Sequence, residues 1–239
     1  EHRPPRVPAD RQPHCAWTVT IDPDVEPLPF PAQAARLAGS RAAGLPLARP
    51  TPDLPADDGW TDYAAPLDPD LVMERFASAT LAALMDEVCL QGHLLSRGFL
   101  LHVLDRSDGA ETAAIGARQL TGIAGLATKR LARALGARPD LDGVAAVLAV
   151  HPMFLPRAYV DLHLERHDDR LEVSLGPCPA LDEDDGLTWP SLLLADDDRA
   201  ILAVVDDVRA KYRVDGGDAK TGRRPAVLLT GFSAGGYPL

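Results

Sequence analysis

Asp86, Leu90, His93 and Arg97 stand at i, i+4, i+7 and i+11 in an otherwise apolar stretch. On a helix that spacing sets three ionisable groups along one face. Their surroundings make the face notable, because Leu81 to Leu104 also holds Val88, Leu94, Leu95, Phe99, Leu100 and Leu101. A buried imidazole needs a partner, so His93 is expected to be held by Asp86 or by a ligand. Cys178 lies between Pro177 and Pro179. There it is a rigidly held thiol that becomes a nucleophile if a histidine is near. His93, Asp86 and Cys178 are therefore the catalytic candidates, with Arg97, His151 and Tyr159 as binding candidates. The ordinary alternative is a solvated or internally satisfied helix face and a free, partly buried cysteine.

A second pattern has period two. Asp161, His163 and Glu165 share one face of a strand, and alternating carboxylate and imidazole suits a metal such as iron or zinc. A site of two histidines and one carboxylate would need a second histidine from His93, His151 or His167, and a metal-dependent oxygenase would follow from it. Alternation alone also describes the wet face of a hairpin. No cofactor is required by the sequence, and a divalent metal is the one candidate.

Other motifs lack their context. Gly231 to Gly235 reads G-x-S-x-G after an apolar strand, but only four residues follow, where a hydrolase elbow needs a helix, an acid and a histidine. Gly216 to Thr221 has Ala219 where a phosphate loop requires glycine. Asp182 to Gly186 suggests a calcium loop, yet Leu181 and Leu192 fall at the first and twelfth positions, so a charged loop is expected. Gln119 to Leu135 hints at a helix-turn-helix regulator, but its apolar stripe reads better as one continuous helix.

These residues need elements to hold them. Fourteen of the 22 prolines fall in residues 1–70, which excludes long helices there and predicts an extended arm. Within it a strand is expected at Trp17 to Ile21 and a helix at Ala32 to Ala43, with Trp17, Phe30, Trp60 and Tyr63 as anchors on the body. Asp68-Pro69-Asp70 supplies helix-start chemistry, and a helical stretch follows to Leu104 with a break near Gly92 or Gly98. A second helix runs from about Ala110 to Leu135, its inward stripe being Ala117, Leu120, Ala124, Ala127, Leu131 and Ala134, and Gly136 closes it. Leu141 to Val150 is a short helix. Tyr159 to Glu165 and Leu171 to Leu175 form a hairpin, then come a helix from about Asp198 to Tyr212 and a strand at Ala226 to Leu229. The fold class is α+β: a long-helix core on a small antiparallel sheet, residues 68–239, with a proline-rich arm, residues 1–67.

The net charge of -11 disfavours nucleic acid and anionic lipid as partners. No run of about 18 apolar residues occurs, so no membrane partner is expected. Glu1 to Asp10 lacks the apolar stretch of a secretory signal, and Cys15, Cys89 and Cys178 form no close pair. Both point to a reducing cytoplasm, and the Ala-, Arg-, Asp- and Pro-heavy composition to a bacterial source. Apolar surface on Phe99, Leu101 or Phe154 would suit a homodimer embraced by the arm.

Asp105-Arg-Ser-Asp-Gly109-Ala-Glu111-Thr-Ala113, the helix through Gln119 to Leu131, and Leu171-Glu-Val173-Ser-Leu175-Gly-Pro-Cys178-Pro179 together give a resemblance. Residues 80–181 resemble the family around L-2-amino-thiazoline-4-carboxylate hydrolase. The resemblance implies a small-molecule site between helix and sheet and hydrolysis of a cyclic C–N bond. The competing expectation is a non-catalytic module that binds a ligand or a protein.

Overall fold

The computed structural model describes residues 20, 22–26, 28–46, 59–61 and 71–194, together with the backbone of four further strands. Two compact units divide at Pro31 and Ala32. In the first, β1 (His2–Arg3) pairs antiparallel with β2 (Ala16–Trp17). The strand expected at Trp17 to Ile21 thus covers only Trp17 of that span among the described residues.

The second unit opens with α1 (Ala32–Ala38), which stops at Gly39 rather than continuing to Ala43. A tight turn follows, in which Ser40 Oγ accepts from the Ala43 amide at 3.1 Å. Of the expected aromatic anchors, Trp60 meets the Phe76 ring edge-on at 6.2 Å and Phe30 is exposed. The side chains of Trp17 and Tyr63 lie outside the described residues.

α2 (Ser78–Leu104) is rich in Ala and Leu, both strong helix formers, and has no proline. It starts later than expected. Met73–Arg75 form a single 3-10 turn, and Ala77 precedes the helix without a side-chain cap. Asp68 and Pro69 lie outside the described residues. No break occurs at Gly92 or Gly98, since neighbouring packing outweighs the modest helix penalty of glycine.

α3 (Gly109–Leu135) is capped by Asp108, whose carboxylate accepts from the Glu111 amide at 2.8 Å. It closes on Gly136, whose φ of 57° is a left-handed value that favours glycine. The helix is continuous, so Gln119 to Leu135 holds no helix-turn-helix. Its inward stripe ends earlier than its sequence period: Ala117, Leu120, Ala124 and Thr128 are buried, Ala127 and Leu131 are half-buried, and Ala134 is exposed. The last turns of α3 simply run beyond the elements that cover it.

α4 (Leu141–Ala149) is capped by Asp140, and a 3-10 turn, Pro152–Phe154, follows. β3 (Leu162–Arg166) and β4 (Arg170–Leu175) form the expected hairpin, in the register Leu162 opposite Leu175 and Leu164 opposite Val173. After α5 (Trp189–Leu194) come β5 (Lys211–Asp215) and β6 (Ala226–Thr230). The sheet is fully antiparallel in the order β3-β4-β6-β5. The end of the helix expected at Asp198 to Tyr212 is therefore strand at Lys211 and Tyr212. Residues 198–210, and the motifs at Gly216 to Thr221 and Gly231 to Gly235, lie outside the described residues.

The fold is α+β. Leu171, Val173 and Leu175 turn one face of the hairpin towards Leu100, Leu101, Leu120, Ala124, Val144, Leu148, Phe154 and Tyr159 in a single core. Leu101 and Phe154 are fully enclosed in that core, so of the three residues proposed to leave apolar surface only Phe99 does so. Leu120 is 0% exposed, so Leu120→Ala should lower stability by about 2 to 5 kcal/mol, whereas Leu135→Ala at the exposed helix end should stay within about 0.5 kcal/mol. Urea unfolding of the two variants measures both.

Candidate functional site

Arg97 projects from α2 into the interior, where its side chain is 7% exposed. A buried guanidinium demands anions. It finds them in the loop before α5: Nε and Nη2 donate to Asp185 Oδ2 at 3.1 and 2.7 Å, and Nη1 contacts Glu183 Oε2. Burial pulls the Arg97 pKa down, but the hydrogen bonds and charges of Asp185 and Glu183 outweigh it and raise the value. The carboxylates are held in turn. Asp185 Oδ1 accepts from the Leu187 amide at 3.0 Å, while Glu183 Oε1 accepts from the Ala42 amide at 3.2 Å and from the Tyr159 hydroxyl at 3.3 Å. Burial, with Glu183 close by, pushes the Tyr159 hydroxyl well above its ordinary value. Outside this cluster lies a polar cleft of 440 Å³, rimmed by Arg36, Arg41, Asp182 and Asp184.

His93 lies one turn before Arg97. Its Nε2 donates to the Leu155 carbonyl at 3.0 Å, and its ring lies against Tyr159 and Trp189, with centroids 5.0 and 4.6 Å away. Burial lowers its pKa to about 4, against smaller opposing effects of the Leu155 and Pro152 carbonyls. The imidazole is neutral and enclosed. Trp189 Nε1 donates to Ser96 Oγ at 2.8 Å, and Ser96 donates to Gln119 at 2.9 Å, which ties α5, α2 and α3 around it. His151 is similar: Nδ1 accepts from the Met153 amide, Nε2 donates to the Ala124 carbonyl, and burial lowers its pKa. Cys178 is a buried free thiol of the core. Thus His93, Arg97 and Tyr159 come together, whereas the partners of His93 are Leu155, Tyr159 and Trp189 rather than Asp86 or Cys178.

Asp86 faces a different recess. This cavity of 130 Å³ is lined by Leu45, Pro46, Glu87, Leu90, Pro156, Arg157 and Ala158 beside the acid. Burial raises the Asp86 pKa, with the charge of Arg157 opposing, and burial with Asp86 nearby pushes the Cys89 thiol to about 11. Arg157 donates to the Ala149 carbonyl at 2.9 Å. Burial lowers its pKa, and the charges of Asp161 and Asp86 counter that.

Asp161 begins the last group. Its Oδ2 accepts from His163 Nε2 at 2.9 Å, with both side chains about two-fifths exposed, at 43% and 40%. Gly176 makes room for this pair, because a Cβ there would lie 1.8 Å from the Asp161 carboxylate. Ser174 stands opposite His163 in the ladder and Glu172 opposite Glu165. Glu165 is exposed and outside the pair, and among the described residues no three His, Cys, Asp or Glu side chains converge to hold a metal.

Sequence reasoning missed Glu183, Asp185 and Arg157. A signal for the first two existed: residues 182–198 hold seven carboxylates and no base, and a lone arginine on an apolar helix face needs such a source. Nothing in the spacing chose which acids turn inward. No family model, curated protein or solved structure matches the chain.

Arg97→Met leaves two buried carboxylates without their cation and should cost about 3 to 5 kcal/mol; adding Glu183→Gln and Asp185→Asn should restore most of it. Urea midpoints of the single and triple variants check this. A second expectation concerns pH. Unfolded His93 takes up a proton near 6.5 and the folded form only near 4. Between those values the unfolded state binds more protons, so stability should fall as pH falls through that window, by roughly 3 kcal/mol. His93→Phe should flatten that slope in a stability-against-pH series.

Proposed function

We propose that the chain is a small-molecule hydrolase of the bacterial cytoplasm whose acid–base group is His163, oriented by Asp161. One observation carries the reading: His163 joins a carboxylate at 2.9 Å and still reaches solvent, while His93 and His151 are enclosed and bonded to backbone. With Nε2–H given to Asp161, Nδ1 is left as the base, the geometry general-base catalysis requires. His163 would take a proton from water as it attacks the carbon of a C–N bond, then return it to the departing nitrogen.

Arg157 supports the same reading, because its positive charge acts on both Asp161 and Asp86 and its side chain lines the recess beside α2, although neither Asp161 nor His163 is in that lining. At about 30 Å³ per water, 130 Å³ has room for roughly four waters or one small ring. A small cyclic substrate with a carboxylate for Arg157 fits that space, and a cyclic C–N bond agrees with the family resemblance. Two buried free thiols, Cys89 and Cys178, support a reducing compartment. The second reading, a non-catalytic interaction module, is favoured by an uncovered apolar trough on α2, lined by Leu37, Leu94, Leu95 and Phe99.

The test is ring opening, followed by chromatography, across small cyclic amidine and amide carboxylates that include L-2-amino-thiazoline-4-carboxylate. Wild type should open at least one ring, His163→Asn should lose about 10²- to 10⁴-fold in kcat, and Asp161→Asn should lose less. Full turnover by His163→Asn, or no turnover of any ring by wild type, contradicts the proposal.

A further inference from the structure

The polar cleft outside the Arg97 cluster carries charges of both signs that do not neutralise one another. One wall is basic. Arg36 of α1 and Arg41 of the turn after it are exposed, and neither side chain makes an ion pair or hydrogen bond among the described residues. The other wall is acidic. The Asp182 carboxylate has no partner among the described residues, and the Asp184 side chain is 99% exposed and reaches Arg97 Nη2 only at 3.9 Å.

Flexible surface charges of opposite sign commonly meet across such a gap, but here each wall is held from below. The Glu183 carboxylate that contacts Arg97 also accepts from the Ala42 amide at 3.2 Å, so the basic turn and the acidic loop share one buried ion cluster. Asp185 takes Nε and Nη2 of the same guanidinium and fixes the loop on the far side of Asp184. The opening is therefore preset, and its 440 Å³ lies within the range of small-ligand sites.

Ser40, only 6% exposed, also lines the cleft. Its Oγ accepts from the Ala43 amide at 3.1 Å, and its hydroxyl proton has no acceptor among the described residues. A buried donor left over in a cleft points to an acceptor on a ligand. Two guanidiniums and a hydroxyl suit a carboxylate or a phosphate, which the arginine fork binds in pairs of hydrogen bonds. The acids suit an ammonium, because among the described residues no three His, Cys, Asp or Glu side chains converge as the ligands of a metal would.

We propose that this cleft binds a small zwitterion, its anionic head held by Arg36, Arg41 and Ser40 and its ammonium by Asp182 and Asp184. Arg97, with Glu183 and Asp185, positions the two walls. The site shares no residue with the His163–Asp161 pair, so neither proposal depends on the other.

Isothermal titration of the full chain with β-alanine, γ-aminobutyrate and O-phosphoethanolamine tests this, with butyrate, inorganic phosphate and butylamine as single-charge controls. At least one zwitterion should bind with a Kd below about 10 mM, and roughly tenfold or more tighter than any single-charge control. Arg36→Gln with Arg41→Gln should weaken that binding by about tenfold, and Asp182→Asn with Asp184→Asn should do the same. All four side chains are exposed, so helical circular dichroism and the urea midpoint should stay unchanged in both variants. Failure of all three zwitterions to bind at that concentration overturns the proposal. So does a zwitterion that binds no better than phosphate or butyrate, which would mark an anion site only, or an affinity that either pair of substitutions leaves untouched.

Discussion

The buried guanidinium of Arg97 is the constraint around which this structure is arranged. A permanent charge inside a small core is tolerated only where anions and donors surround it, and here they come from three separate parts of the chain. Glu183 and Asp185 bring the loop before α5, Tyr159 brings the approach to β3, and the Ala42 amide brings the turn after α1. One ionic cluster therefore fixes the position of α1 on α2 and the course of the chain into the hairpin. The apolar trough between Leu37 and α2, and the start of the strand that carries His163, both follow from that arrangement.

The histidines show how burial sorts one residue type into different roles. His93 and His151 lie among rings and backbone carbonyls, where charging them would forfeit solvation, so they serve as neutral hydrogen-bonding pieces of the core. His163, on the opposite face of the sheet from Leu171 and Val173, keeps a carboxylate partner and contact with water. Proton transfer to a substrate needs both, which is why the proposed chemistry rests on the sheet rather than on the helix.

Much of the scaffold was legible in the sequence because its signals are local. Gly136 ends a helix, and the alternation from Leu162 to Leu175 allows one face to be apolar. The acidic loop was not legible: periodicity is silent about which of four consecutive carboxylates turn inward, and only the tertiary position of Arg97 decides it. The spacing set Asp86, His93 and Arg97 along one helix face, but the three groups belong to different surroundings. Asp86 reaches the recess beside Arg157, His93 the aromatic core, and Arg97 the ion cluster. Spacing along a helix gives direction, and the elements packed against each turn give the chemistry.

Peptide-resolved modification by diethyl pyrocarbonate tests the central claim most directly, since the reagent acylates accessible neutral imidazoles. Mass spectrometry followed over time should show His163 modified early, in step with the loss of ring-opening activity, while His93 and His151 remain untouched in the folded protein. Activity that survives complete modification of His163, or that disappears in step with His93, would contradict the account.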